Sequence, residues 1–263
     1  MFEKRGRDKR GQVTIFIIVG IIVVAAAVLI YTFYPKIKTT LGIEESNPQN
    51  YIQSCVEDKL KETIELVSLQ GGSVNPENYI LEGGRVEYLC YINDYFIPCL
   101  IQQPLLKQHI ESEILNEIKN TVDDCFDSLK ESYFQKGYDV EITKGVKDVE
   151  LLPEKIISTF NNKAKFTKGE EVQEYEKFVI ITNNNLYELV AIANSIIEWE
   201  ATYGDADPLT YMLYYPNLKV ETISRESGKR VYILTNRVDE NVFRFAVKSQ
   251  VWPAGYATST IIV

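Results

Sequence analysis

Lys4, Arg5, Arg7, Lys9 and Arg10 precede an uncharged apolar run from Val13 to Tyr34, and Pro35 closes it. No other feature constrains this chain as much. As a helix, the run would measure roughly 33 Å at 1.5 Å per residue, against a bilayer hydrocarbon core of about 30 Å. It is long enough to span a membrane. Five basic residues lie ahead of it and only Lys36 and Lys38 lie close behind. That asymmetry keeps the N-terminus in the cytoplasm and sends everything after Pro35 outward. The sequence therefore predicts a cytoplasmic basic leader at 1–11, a transmembrane helix at 12–35 and a linker at 36–47. An extracytoplasmic α+β domain at 48–253, with a candidate subdivision near 137, and a C-terminal tail at 254–263 complete the chain. The expected location is the cell membrane, with the main domain outside. A secretory signal cut after Ala25-Ala26-Ala27 is the competing reading. Against it, the apolar character continues through Val28, Leu29, Ile30 and Phe33, as a retained anchor requires.

Charge narrows the partners. The chain has 28 basic and 37 acidic residues; residues 1–11 hold 5 and 2 of them, which leaves 23 and 35, a net of −12, for the rest. An outward part that acidic lacks the basic stripe nucleic acid needs. The predicted partners are the membrane, through a single span, and a protein or glycan at the cell surface. Self-association through the N-terminal helix is a further expectation.

All four cysteines, Cys55, Cys90, Cys99 and Cys125, fall on the outward side. An even count in an oxidising compartment predicts two disulfides. Three pairings exist, and local structure favours one. Cys90 and Cys99 flank Asn93-Asp94 between two apolar alternating stretches, a hairpin signal that brings them together. Cys55 and Cys125 remain, each on the apolar stripe of a predicted helix.

Asn47-Pro48 is a good helix start, and Ile52, Val56, Leu60, Ile64 and Val67 recur at helical spacing up to Gly71-Gly72. Pro104 opens the longest soluble helix, with Leu106, Ile110, Ile114, Ile118, Val122, Cys125 and Leu129 on one stripe. Strands are predicted at 140–143, 155–160, 164–167 and 175–181, then a helix from about Asn185 to Tyr203. Asp207-Pro208 caps a short Tyr-rich helix, and strands at 218–223, 230–235 and 242–248 follow. The predicted fold class is α+β: an N-terminal transmembrane helix, then long amphipathic helices packed on a largely antiparallel sheet.

Chemistry is sparse. His109 is the only histidine and lies among charged neighbours, with no nucleophile elbow near it. No cysteine pair has zinc-site spacing. No catalytic residue, cofactor or metal ligand is predicted. Glu198, Glu200 and Asp205, around Trp199, are the carboxylates a glycan-cleaving site would use, provided a cleft gathers them. Tyr211, Met212, Tyr214 and Tyr215 form a candidate interface, since tyrosine is favoured at contacts; core packing is the plainer alternative.

The segment Lys9-Arg10-Gly11-Gln12-Val13-Thr14-Ile15-Phe16 resembles the class III, prepilin-type signal of archaeal surface proteins. That resemblance implies a cut between Gly11 and Gln12, with the apolar helix retained. Pilins usually carry Glu at the fifth mature position, where this chain has Phe16. The rest resembles uncharacterised single-pass archaeal surface proteins that begin with the same Gly-Gln-Val-Thr-Ile-Phe. The shared pieces are Cys55 in a helix ending Leu69-Gln70-Gly71-Gly72, Cys125 in the second long helix, and the closing Phe243-Arg244-Phe245-Ala246-Val247-Lys248. It implies a surface location and supports the Cys55–Cys125 pairing. Three functions are carried forward: a membrane-anchored surface domain with a binding or structural role, a type IV pilin-like filament subunit, and an anchored carboxylate-dependent hydrolase.

Overall fold

The computed structural model describes residues 47–251. The basic leader, the run predicted as a spanning helix, Gly11, Gln12, Phe16 and the segment from 252 onward lie outside the described residues.

Helix α1 (Pro48–Gln70) buries Ile52, Val56, Leu60, Ile64 and Val67, the stripe its spacing predicts. It stops where Gly71 and Gly72 take φ of +87° and +109°, and the Gly72 N–H closes on the Val67 carbonyl at 2.8 Å. Helix α2 (Leu106–Gln135) buries one stripe from Leu106 to Tyr133 and leaves its charged faces to water. Each fully buried apolar side chain of this kind contributes about 1.5–3 kcal/mol. Cys55 and Cys125 join α1 to α2 in a disulfide, and Lys59 pairs with Glu117 at 2.6 Å alongside it.

Among the described residues, twelve strands follow the sequence as β1 (Tyr79–Leu81), β2 (Arg85–Tyr91), β3 (Leu100–Ile101), β4 (Asp139–Thr143), β5 (Lys147–Leu152) and β6 (Lys155–Phe160), then β7 (Lys163–Lys168), β8 (Glu171–Tyr175), β9 (Phe178–Asn183), β10 (Leu218–Ser224), β11 (Lys229–Asn236) and β12 (Val242–Lys248). Helices α3 (Leu186–Tyr203) and α4 (Pro208–Tyr214) lie between β9 and β10.

The predicted fold class is corrected in two respects. The strands do not form one largely antiparallel sheet. They form a six-stranded mixed sheet in the order β1-β2-β12-β11-β10 with β3 on β2, and two small sheets, β4-β7-β8 and β5-β6-β9. The parallel pair is β2–β12, where Tyr88 faces Ala246. Alternation along a strand reports which face is buried and is silent on the partner. Second, among the described residues no helix is long and apolar enough to cross a membrane. What is observed is α+β with a mixed sheet.

Smaller differences have the same origin. The stretch 175–181 is two strands in different sheets, broken at Glu176-Lys177. Beyond Cys90 the predicted hairpin is a turn, with Phe96 at φ +64°, and only Leu100–Ile101 pairs back on β2. The Cys90–Cys99 disulfide closes that turn. Helix α2 packs on β4 and β5, and α3 on β2, β11 and β12. A single buried cluster runs from Leu60 and Ile114 through Phe166 and Ile156 to Ile196 and Phe245, so all three sheets share one core.

Candidate functional site

Three consecutive pieces of chain build a cleft of about 920 Å³. The first is the end of α3. Ser195, Trp199 and Tyr203 recur every fourth residue, so they share one face of the helix, and the two aromatic rings lie 4.8 Å apart. Gly204 ends α3 in the left-handed conformation at φ +77°, donating to the Glu200 carbonyl. A Cβ there would also meet the Val251 side chain at 2.0 Å, so only glycine fits.

The second piece is α4. The Asp207 carboxylate accepts from the Leu209 N–H at 3.0 Å and from the Thr210 hydroxyl at 2.7 Å, and Pro208 fills the first helical position. This short helix buries none of its residues completely. Tyr211 is tied to α3 by a 2.9 Å hydrogen bond between its phenol and the Ser195 hydroxyl. Tyr214 is 74% exposed and Tyr215 54%, and both line the cleft.

The third piece is the floor. In the antiparallel register, Arg230 on β11 lies opposite Ser224 on β10, and Tyr232 opposite Thr222, so all four sit on one patch. Beneath them Glu200 is 0% exposed. One of its oxygens accepts from the Tyr232 hydroxyl and the other from Arg230 Nη2. Arg230 also donates to the Gly204 carbonyl at 2.7 Å and to Asp205 at 3.2 Å. Its Nε is buried and has no acceptor among the described residues. Burial raises the Glu200 pKa, against the pull of the Arg230 charge and the Tyr232 hydroxyl. The same burial, with Glu200 alongside, pushes the Tyr232 phenol far above its ordinary value.

The chain matches no family model, no curated protein and no solved structure. The cleft must therefore be read from its own residues.

Of the predicted interface, Tyr211, Tyr214 and Tyr215 line the cleft, while Met212 packs against the core. Of the three carboxylates, Asp205 alone lines it; Glu200 lies buried beneath and Glu198 is exposed outside the lining. Sequence reasoning missed Tyr203 and Arg230. The aromatic i, i+4 spacing at 199 and 203 was the available signal, and for Arg230 there was none short of the strand register.

His109 has company that its sequence neighbours do not show. Its Nε2 lies 2.8 Å from the Ser73 hydroxyl, which in turn meets the Glu87 carboxylate at 2.5 Å. Serine sits between the other two, the reverse of a Ser-His-acid relay. Ser73 is buried, and neither described cavity includes it. Among the described residues no group of three or more His, Cys, Asp or Glu could hold a metal ion.

Proposed function

We propose that this protein is an extracytoplasmic, cell-surface domain with a binding role, held at the cell membrane by its N-terminal sequence. The aromatic cleft carries the binding part of this reading. It is concave, half-open and lined by aromatic rings with a few convergent polar groups, the composition of ligand sites in general. Two disulfides support an oxidising location. The basic leader and the apolar run support attachment and orientation. The carboxylate beneath the cleft has a positioning role in this reading: Glu200 orients Arg230, and Arg230 faces the ligand.

The test is made in intact cells. A photo-cross-linking amino acid replaces Tyr214 in the cleft or Val172 on β8, and a membrane-impermeant amine reagent reports location. The expected result is labelling without lysis, together with a cross-link to an envelope component from 214 and none from 172. Labelling only after lysis would overturn the location. Equal or absent cross-linking at the two positions would overturn the binding role.

A further inference from the structure

We propose that the ligand of the cleft is a neutral glycan chain, an inference that rests on the binding reading above. Trp199, Tyr203, Tyr214 and Tyr215 are each half or more exposed, so their faces are presented and not merely packed. A pyranose ring offers flat C–H faces to such aromatics and a rim of hydroxyls that donate and accept at once. The cleft supplies the matching rim. Asp205 is a half-exposed acceptor, Thr222 and Ser224 both donate and accept, and Arg230, held by Glu200, Asp205 and the Gly204 carbonyl, lines the floor beside them.

Charge and desolvation narrow the rivals. A cationic ligand, the usual guest of an aromatic cage, would meet an Arg230 already paired with Glu200 and Asp205. Choline chloride is therefore titrated beside the sugars, and a Tyr214-dependent response to choline in place of the sugars overturns the inference. An anionic one would meet Asp205 and Asp207 at the mouth of an acidic protein. An apolar peptide face would cover Arg230 and Asp205 without hydrogen-bonding either, which is unfavourable in a desolvated site.

The test titrates the protein with neutral pentasaccharides of glucose, mannose and N-acetylglucosamine, polygalacturonate fragments, and a proline-rich decapeptide. Trp199 fluorescence is the readout in a Trp252→Phe background, where it is the sole tryptophan. A saturable change with at least one neutral oligosaccharide is expected. Tyr214→Ala should weaken it about tenfold, the scale of one aromatic contact. Tyr95→Ala, exposed but outside the cleft, should leave it unchanged. Glycans released from the producing cells' own envelope, run beside the commercial ones, separate a self ligand from an environmental one.

No response to any neutral sugar, or a Tyr214-dependent response to polygalacturonate or to the peptide instead, would overturn the inference. If the cell-based cross-link from 214 is still seen, the binding role stands and only the ligand class falls. If both are absent, both fall.

Discussion

Glu200 and Arg230 show how one residue fixes another in this protein. The carboxylate has no exposed surface, and both of its oxygens are hydrogen-bonded. Arg230→Met would leave that charge buried with its main counter-charge gone, a loss of about 3–5 kcal/mol. Urea unfolding of Arg230→Met should show it, and Glu200→Gln in the same chain should recover most of it, because a neutral amide does not need the cation. Equal instability of the single and double variants would refute the pairing as the cause. Glu87 tests burial differently. Its carboxyl is raised above the ordinary 4.5 chiefly by burial, with Ser73 and His109 opposing. The folded state therefore holds this proton more tightly than the unfolded chain does. Stability from this group is fully present below pH 4.5 and declines as pH rises through the raised folded value. Glu87→Gln should flatten that decline in urea midpoints measured from pH 4 to 8, since the amide keeps its hydrogen bonds and does not titrate. An unchanged slope would assign the decline to Glu200, whose shift has the same direction.

Among the elements, the two disulfides do unequal work. Cys55–Cys125 closes a separation of 70 residues between α1 and α2; Cys90–Cys99 closes 9 within one turn. In the chain-entropy treatment these correspond to about 4 and about 2.5 kcal/mol. Cys55→Ser should accordingly lower the thermal midpoint more than Cys90→Ser, read by circular dichroism under non-reducing conditions; the reverse order would show strain or residual structure outweighing loop length. The larger bridge was legible by elimination once the Asn93-Asp94 turn brought Cys90 to Cys99. Cys125 does lie on the buried stripe of α2, whereas Cys55 lies on an exposed flank of α1 beside Ile52 and Val56 and not on the buried stripe expected for it. Strands β6 and β10–β12 were legible from their alternation, of period two. Strands β5 and β8 were not. Glu171–Tyr175 has no fully buried residue, so no alternation marks it, and Lys147–Leu152 mixes charge and apolar character. In the cleft, Tyr211, Tyr214 and Tyr215 announced themselves by composition. Arg230 did not, since its place depends on lying opposite Ser224, a relation between strands that neither strand encodes alone.

At the scale of the whole molecule, the strand arrangement makes the parts interdependent. Strand β2, read early in the chain, is locked in the large sheet by β12, read at its end, and α2 packs on strands of the two small sheets. The buried cluster crosses Gly137 without interruption: Ile114 and Leu129 lie before it, and Phe166, Ile196 and Phe245 after. Residues that share one core lose their packing together, so opening either side of 137 exposes apolar surface on the other. Calorimetry on the oxidised protein should therefore show one transition for these elements, with calorimetric and van't Hoff enthalpies equal. The described residues, 47–251, set its size at roughly 140 kcal/mol near 60 °C, from about 0.7 kcal/mol per residue. Two resolved transitions would instead mean that the small sheets, all of whose strands follow 137, fold apart from the large one, whose strands lie on both sides of it. The cleft offers a second reading of the same measurement. It is built from α3, α4, β10 and β11, all on one side of 137, so with one transition a saturating ligand must raise the melting temperature of the whole cluster. With two it would raise only one of them.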